Sequence, residues 1–184
     1  MKPIIETERL LLRELVSTDV QAFYELDSNP EVHKYLGSNA ATSMEECSAM
    51  IEFIQKQYQE NGIGRWAMIE KESGHFIGWT GLKLMKTTVN NRTDFLDVGY
   101  RLIQNYWGKG YATESTVASL KYAFENLKAQ EVIGITHIDN LASRRVLEKC
   151  GLKFIETFTW LEWGNTECNW LKISKEEWIA HNEN

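Results

Sequence analysis

The run DVGYRLIQNYWGKG, at residues 97–110, leads directly into a helical pattern that spans residues 111–127. Its first part reads as a strand, because aromatic and branched residues alternate between two faces. Gly108 and Gly110 lie in the turn between the strand and the helix. The N–H groups of a first helical turn attract anions, and glycine lets a ligand approach the backbone closely. The stretch therefore predicts an anion-binding site where a central strand meets a helix.

The flanking sequence supplies partners for this strand. Residues 64–70 and 76–84 read as the two strands of a hairpin, so an antiparallel meander leading to the central strand is the simplest arrangement. Residues 130–137 follow the helix, and a strand, helix, strand order predicts a parallel pair. Residues 154–163 and 167–174 flank a Gly-Asn turn, which predicts a terminal hairpin. Together these elements predict an α/β fold with a mixed sheet.

Length and composition fit a globular protein, and we expect one domain over residues 1–184. The formal net charge of −6 argues against a nucleic-acid partner and leaves room for a cationic amine substrate. The three cysteines, Cys47, Cys150 and Cys168, form no CxxC pair that would indicate a metal site. No apolar run approaches the roughly 18 residues of a membrane span. We expect a cytoplasmic monomer or homodimer with no metal, nucleic-acid or membrane partner.

The glycine spacing excludes two common phosphate loops, because Thr113 replaces the third glycine of the dinucleotide fingerprint and no GK[ST] triplet follows. The run YWGKGYATE, at residues 106–114, instead resembles the acetyl-coenzyme A (acetyl-CoA) loop of the GNAT superfamily of N-acetyltransferases. TERLLLRE, at residues 7–14, resembles the opening strand of the ribosomal-protein-alanine acetyltransferase branch, and NLASRRVLEKCGL, at residues 140–152, resembles its second coenzyme-binding segment. Asn105 departs from the superfamily, which usually has Arg or Gln at that position.

This resemblance implies the GNAT fold, which is a mixed central sheet with splayed parallel strands flanked by helices. In that fold the pantetheine arm of the coenzyme pairs with the exposed edge of the central strand. The coenzyme-binding residues that the resemblance implies lie in the central strand, the glycine loop and the second coenzyme-binding segment. They are Tyr100, Arg101, Leu102, Trp107, Gly108, Lys109, Gly110, Tyr111, Ala112, Asn140, Ser143 and Arg144.

The second coenzyme-binding segment also carries the candidate proton donor. Leu147 stands where many superfamily members have a tyrosine, while Asn140 and Ser143 match the N-x-x-S pattern of the alanine acetyltransferase branch. The resemblance therefore implies that Ser143 donates a proton to the leaving thiolate and that Asn140 contacts the pantetheine arm. The alternative is structural, because an asparagine is also a good N-cap residue and Ser143 would then lie in the first turn of a helix.

Removing a proton from the acceptor amine requires a base, and the resemblance implies that Asp97 faces the amine directly or through water. A nearby apolar wall would raise the pKa of Asp97 toward a useful range. One alternative is that Asp97 is only a solvated strand-end residue. Another is that His137, whose ordinary pKa suits a base, takes this role. Trp66 and Trp107 are candidates for the walls of the substrate cleft.

The resemblance implies an enzyme that moves an acetyl group from acetyl-CoA directly to a primary amine. The branch resemblance implies that the acceptor is the N-terminal amine of a protein. Small amines, such as polyamines, amino acids or aminoglycosides, are the alternative acceptors, because fold resemblance does not choose between them. A CoA-binding sensor without turnover is the alternative outside the enzymes, since the family's tyrosine and its Arg or Gln are both absent.

Overall fold

Eight strands form one sheet in the computed structural model, which describes residues 5–183. The strands are β1 Ile5–Glu6, β2 Leu10–Glu14, β3 Arg65–Glu70, β4 Phe76–Met85, β5 Phe95–Leu102, β6 Glu131–His137, β7 Lys153–Trp160 and β8 Thr166–Ser174. Their order across the sheet is β1-β2-β3-β4-β5-β6-β8-β7. All neighbouring strands are antiparallel except β5 and β6, which are parallel. The mixed sheet agrees with the predicted fold class.

Helices cover both faces of this sheet. Within the described residues they are α1 Val20–Asp27, α2 Pro30–His33, α3 Met44–Asn61, α4 Tyr111–Glu125, α5 Leu141–Lys149 and α6 Lys175–Asn182. Helices α4 and α5 pack on one face through residues such as Leu120 and Leu147. Helices α1 and α3 pack on the other face through residues such as Phe23 and Ile51. No helix in this part of the chain is both long and apolar enough to cross a membrane.

Strands β3, β4 and β5 form the predicted antiparallel meander, and the strand alternation decides which tryptophan faces which side. Trp66 is only 1% exposed and packs edge-on against Tyr122 of α4, with 5.2 Å between ring centroids. The prediction that Trp66 walls the cleft is therefore wrong. Trp66 pairs with Thr80 across the sheet, so the preceding residue, Trp79, points to the opposite face. Trp79 lines the cleft instead.

Strands β5 and β6 share a single register pair, Asp97 with Ile133. Helix α4 forms the long crossover between them, as parallel strands require. Beyond this pair the two strands separate, and α5 lies on one side of the gap between them. The separation agrees with the predicted splayed parallel strands. It also leaves one edge of β5 without a strand partner, which is where a ligand can bind.

The end of the chain forms the predicted hairpin of β7 and β8. A short 3-10 helix, Leu161–Trp163, follows β7, and the turn then passes through Gly164 and Asn165, both at positive φ. Helix α6 follows β8 with a capping box between Ser174 and Glu177. The hairpin extends the sheet beyond β6, and it places the tip of the turn beside the gap.

Candidate active site

The glycine loop and the first turn of α4 have the geometry of an anion site. Gly110 is the N-cap residue of α4 with φ +86°, and Gly108 has φ +73°, a region that favours glycine. No side chain in the described part of the chain caps α4, so its first N–H groups remain available to a ligand. A Cβ atom added to Gly108 would meet no atom within 4 Å, so the loop borders open space. Backbone N–H groups arranged in this way can bind a phosphate.

A pair of charged residues, Arg9 and Glu114, holds the loop against the segment that directly precedes β2. The Glu114 carboxylate accepts hydrogen bonds from the Thr7 hydroxyl at 2.6 Å, the Arg9 main-chain N–H at 2.9 Å and Arg9 Nε at 2.7 Å. The Arg9 guanidinium also donates to the Lys109 carbonyl at 2.9 Å and stacks over the Tyr111 ring. Burial raises the pKa of Glu114, but these bonds outweigh burial and lower it overall. The loop is therefore fixed by contacts outside the ligand site.

A cleft of about 530 Å³ fills the gap between β5 and β6. Most of the residues predicted from the sequence line it, on one or the other face of the sheet. These lining residues are Asp97, Tyr100, Arg101, Leu102, Trp107, Gly108, Ala112, His137, Asn140 and Ser143. The other predicted coenzyme residues, Lys109, Gly110, Tyr111 and Arg144, lie outside the cleft lining.

Two main-chain N–H groups of β5 point into this gap. The N–H of Ile103 donates to the carbonyl of Ile77 on β4 at 3.0 Å. Because N–H directions alternate along a strand, the N–H groups of Leu102 and Tyr100 point away from β4 and toward the gap. Trp107 Nε1 donates to the Leu102 carbonyl at 2.8 Å and partly covers this edge. The exposed N–H groups are available to a carbonyl oxygen or to the amide groups of a ligand.

Asp97 lies at the fork where β5 and β6 separate. Its carboxylate forms an ion pair with Arg65 and accepts a hydrogen bond from the Ile135 main-chain N–H. The side chain is 13% exposed. Burial raises the pKa of Asp97 above its ordinary value of 3.8, and Arg65 offsets part of that rise. Asp97 is therefore not a solvated strand-end residue, and its carboxylate borders the cleft in a partly dehydrated environment.

Ser143 and Asn140 lie at the start of α5, on the face of the sheet that α4 and α5 cover. The Asn140 side chain accepts from the Ser143 main-chain N–H at 3.1 Å, so Asn140 is the N-cap residue of α5. The Tyr100 hydroxyl lies 2.8 Å from the Ser143 carbonyl oxygen and 2.9 Å from Ser143 Oγ. Burial raises the pKa of Tyr100, so its phenol stays protonated. The phenol has one hydrogen, which it donates to the Ser143 carbonyl, so the Ser143 hydroxyl donates to the Tyr100 oxygen in this arrangement. The serine hydrogen can point into the cleft when Tyr100 turns its own hydrogen toward Ser143 Oγ.

His137 lies at the end of β6 and also borders the cleft. Its Nδ1 accepts a hydrogen bond from the Asp139 main-chain N–H at 3.1 Å. Its ring packs against Tyr35, with 5.5 Å between centroids. These contacts fix the imidazole and leave Nε2 without a hydrogen-bond partner among the described residues. His137 therefore has the geometry of a second candidate base.

Several predicted coenzyme residues have side chains that are bound to other groups. Arg101 donates to Asp27 at 2.6 Å, so its guanidinium is already held by a carboxylate. Arg144 pairs with Glu148 at 2.8 Å. The Lys109 ammonium lies over the Tyr106 ring, 5.2 Å from its centroid. The Tyr111 hydroxyl donates to Glu70. Charged side chains thus contribute less to the predicted coenzyme site than the sequence alone indicates.

The structure adds cleft residues that sequence reasoning missed. Arg65 and Trp79 come from the neighbouring strands β3 and β4, while Tyr35 follows α2 and Trp163 lies at the tip of the terminal hairpin. The partner of Asp97 is 32 residues away, so no local pattern announces the pair. The number of aromatic residues in the hairpins was the only feature of the sequence that pointed to these cleft residues. Cys150 is buried, and burial raises its pKa to about 12.

Comparison with known proteins agrees with this geometry. Residues 9–153 match the family described as the acetyltransferase (GNAT) domain. FsC-acetyl coenzyme A-N(2)-transacetylase of Aspergillus fumigatus is 33% identical, over 97% of this chain and 79% of the relative. The uncharacterized N-acetyltransferase YoaA of Bacillus subtilis is 31% identical, over 83% of this chain and 84% of the relative.

Solved structures share the fold at lower identity. A GNAT-family acetyltransferase from Bacillus anthracis superposes with a TM-score of 0.77 and 24% identity, over 94% of this chain and 98% of that one. An acetyltransferase from Agrobacterium tumefaciens gives a TM-score of 0.74 and 22% identity, over 92% and 94% of the two chains. The family match covers most of the chain, and two relatives exceed 30% identity. This chain belongs to the GNAT acetyltransferase family and is an acetyl-CoA-dependent N-acetyltransferase.

Proposed function

We propose that this enzyme transfers the acetyl group of acetyl-CoA directly to the N-terminal amine of a protein or peptide. The observation that carries the proposal is the gap between β5 and β6, whose lining residues lie on both faces of the sheet. A coenzyme bound on the α4 and α5 face can present its thioester in the gap. The end of a polypeptide can reach the thioester from the opposite face. Resemblance of residues 7–14 and 140–152 to the alanine acetyltransferase branch supports a protein acceptor.

The residues present fit acetyl-CoA as the cosubstrate. The uncapped first turn of α4 and the open space at Gly108 suit the pyrophosphate. The N–H groups of Tyr100 and Leu102 suit the pantetheine amides and the thioester carbonyl. Acetyl-CoA supplies an acetyl group on a good leaving thiolate. The protein then needs only to align the amine, to accept its proton and to stabilise the charge that develops.

The proposed proton transfers use Asp97 and Ser143. Asp97 accepts a proton from the ammonium form of the acceptor, directly or through water, and the free amine attacks the thioester carbon. A main-chain N–H of β5 stabilises the negative charge on the carbonyl oxygen. As the C–S bond breaks, the sulfur leaves with the proton of Ser143 Oγ. The nitrogen of the new C–N bond gives its second proton to Ser143 Oγ, directly or through water, so the products are the amide and the CoA thiol. Asp97 returns its proton to solvent after the products leave. His137 is the alternative base.

A small amine is a second candidate acceptor, favoured by one specific observation. The name of the Aspergillus fumigatus relative describes transfer from acetyl-CoA to FsC, and that relative is 33% identical over nearly the whole chain. An acceptor of this kind would use the same gap and the same catalytic groups. The two candidates differ only in what binds on the acceptor side of the cleft.

The test measures thiol release from acetyl-CoA with a panel of α-amine peptides and small primary amines, and identifies products by mass spectrometry. We expect N-terminal acetylation of peptides with kcat/KM above that of any small amine. Turnover with small amines and none with peptides would replace the first candidate by the second. Calorimetry on the same sample measures coenzyme binding. Tight binding without turnover would overturn both candidates and support a CoA-binding sensor.

A further inference from the structure

The acceptor half of the cleft lies on the sheet face opposite α4 and α5. Asp97, Arg101 and Trp79 point to this face, because they alternate with the β5 and β4 residues that pack toward α4. We define the acceptor half as the apolar and aromatic lining on this face. It consists of Val32, Tyr35, Leu36, Trp79, Ile135 and Trp163. Three of these six residues are aromatic, so flat apolar surface makes up much of this half of the cleft.

The aromatic residues are held in place by their neighbours. The Trp79 ring is covered by two guanidinium groups, with Arg101 5.0 Å and Arg65 5.6 Å from its centroid. Trp163 packs edge-on against Trp160, with 5.5 Å between centroids. A Cβ atom added to Gly37 would lie 3.8 Å from Trp163 Nε1, so the segment after α2 meets the terminal hairpin. The walls of the acceptor half are therefore formed before an acceptor binds.

Charge in the cleft does not follow the acidic balance of the chain. The lining residues that carry a charge, histidine aside, are three cations, Lys34, Arg65 and Arg101, and two carboxylates, Glu31 and Asp97. Asp97 is paired with Arg65, and Arg101 is paired with Asp27, which lies behind the lining. Among the described lining residues, only Glu31 offers a carboxylate outside these ion pairs.

This arrangement distinguishes between classes of acceptor. A polyamine or an aminoglycoside carries several positive charges, and each needs a carboxylate or water in the bound state. The cleft offers one unpaired carboxylate, and the ammonium of Lys34 lies over the neighbouring Tyr35 ring. An acceptor with one amine and an uncharged planar group would instead bury that group against fixed aromatic walls.

We propose that the acceptor half selects an amine that carries an aromatic or other flat apolar group beside its single positive charge, and that it rejects polycations. For a peptide acceptor, this means a large apolar side chain at the first position. The inference rests on the proposed function, because that function makes an amine the acceptor. It concerns how tightly the acceptor binds, however, so it can be measured without turnover.

The experiment compares three acceptors, Phe-Gly-Gly, Gly-Gly-Gly and spermidine, by turnover with acetyl-CoA and by calorimetry on the enzyme saturated with CoA. We expect Phe-Gly-Gly to exceed Gly-Gly-Gly about tenfold or more in kcat/KM and in affinity, because one buried aromatic anchor typically carries that much binding. Spermidine should be poorer than both. Preference for spermidine, or equal values for the two peptides, would overturn the inference.

Substitutions in the acceptor half test whether its side chains cause the preference for Phe-Gly-Gly. Trp163→Ala and Tyr35→Ala should each remove most of the advantage of Phe-Gly-Gly while the Kd for acetyl-CoA stays unchanged. Leu161→Ala is the matched control, because Leu161 lies on the same hairpin, is 67% exposed and does not line the cleft. Lys34→Glu, an exposed charge reversal, should raise the relative rate with spermidine. Variants that weaken all three acceptors equally would contradict the proposal.

The two readouts separate this inference from the proposed function. If the enzyme–CoA complex binds Phe-Gly-Gly selectively but acetylates no amine, the proposed function fails and the acceptor selectivity stands. If peptides are acetylated without regard to the first side chain, the proposed function stands and the inference fails.

Discussion

At the scale of single residues, the structural contacts of the Asp97 carboxylate compete with the catalytic role that we propose for it. Its ion pair with Arg65 and its bond to the Ile135 N–H hold the fork of the sheet together. A base must instead take up a proton during each turnover. Burial favours the protonated form and raises the pKa of Asp97, while Arg65 favours the carboxylate. The balance makes Asp97 a stronger base than a solvated aspartate, and this agrees with the proposed role.

The first prediction concerns Asp97→Asn. We expect kcat/KM to fall about 100-fold or more, which is the usual contribution of a general base. In the unmodified enzyme, the rate should fall as the pH drops through the raised pKa, and the variant should lose this acidic limb. Asp94→Asn is the control, because Asp94 directly precedes β5, is exposed, and has a positive φ that asparagine also tolerates. An unchanged pH profile in Asp97→Asn would transfer the role to His137 or to water.

The same variant has a stability signature of defined sign. Because folding raises the Asp97 pKa above 3.8, the folded protein binds this proton more tightly than the unfolded chain does. The contribution of Asp97 to the free energy of unfolding is therefore full below pH 3.8 and is lost as the pH rises through the raised pKa. Urea unfolding at several pH values should show that Asp97→Asn lacks this decline. The substitution also leaves Arg65 without its carboxylate partner, which costs about 3–5 kcal/mol at a buried pair.

The second prediction concerns Ser143 and Tyr100. Ser143→Ala should lower kcat about 100-fold if its hydroxyl protonates the thiolate. Tyr100→Phe should lower kcat about tenfold, because it removes one hydrogen bond that orients the Ser143 hydroxyl. An acetyl thioester with a more acidic thiol needs less help in leaving, so it should restore much of the rate in both variants. Equal losses with both thioesters would mean that these residues only maintain the structure.

Sequence reasoning reached some of these residues and not others for a physical reason. Asn140 and Ser143 belong to one local pattern, and the cap they form is fixed within four residues. Arg65 reaches Asp97 only because β3, β4 and β5 align in a particular register. Likewise, the sequence shows that the hairpin carries tryptophan, but only the strand register decides that Trp79 is the one that faces the cleft.

At the scale of elements, the glycine loop depends on the segment that directly precedes β2. Arg9 bonds the Lys109 carbonyl, and Glu114 ties the first turn of α4 to residues 7 and 9. These contacts keep the loop in its ligand-binding shape without occupying the anion site. The sequence predicted the strand, the turn and α4 from local pattern, because alternation and glycine placement are properties of short segments. It could not predict the contacts of Arg9 and Glu114, which we call the brace, because they join residues about a hundred positions apart.

The third prediction follows from this brace. Arg9→Ala should raise the Kd for acetyl-CoA about tenfold, because the bond to the Lys109 carbonyl and the stacking on Tyr111 are both lost. Calorimetric titration measures the change. Glu125→Gln is the control, because Glu125 lies at the end of α4 away from the loop and its side chain forms an exposed pair with Lys121. Unaltered coenzyme affinity in Arg9→Ala would show that the loop keeps its shape without the brace.

Glu114 makes the stability of the glycine loop and α4 depend on pH, with a sign opposite to that of the Asp97 contribution. Its folded-state pKa lies below 4.5, so its contribution to stability is present above that value and is lost as the pH falls through the lowered pKa. Acid should therefore loosen the contact between α4 and the segment that directly precedes β2. The local pattern of residues 7–14 predicts only the strand, whereas this coupling needs the folded arrangement.

At the scale of the whole molecule, the gap divides the sheet into two parts. Strands β1 to β5 form one part, and β6, β8 and β7 form the other. Within the described residues, the two parts are joined along the sheet by the Asp97 and Ile133 register pair, and by the bond from the Ile135 N–H to Asp97. Helices α4 and α5 cover the junction on one face. A coenzyme that binds along β5 would take the place of the missing strand pairing.

The last prediction tests this arrangement by amide hydrogen exchange. In the free enzyme, the N–H groups of Tyr100 and Leu102 point into the gap and should exchange quickly, although they belong to a central strand. Acetyl-CoA at about 100 times its Kd stabilises the whole fold by about 2.7 kcal/mol, so amides that open only by global unfolding should slow by one common factor. The N–H groups of Leu12 and Met68, in the paired strands β2 and β3, provide that reference. Those of Tyr100 and Leu102 should slow by a larger factor, because they change from unpaired to bonded. Equal slowing at all four positions would mean that the coenzyme binds without using the open edge of β5, and the assignment of that edge to the pantetheine arm would be wrong.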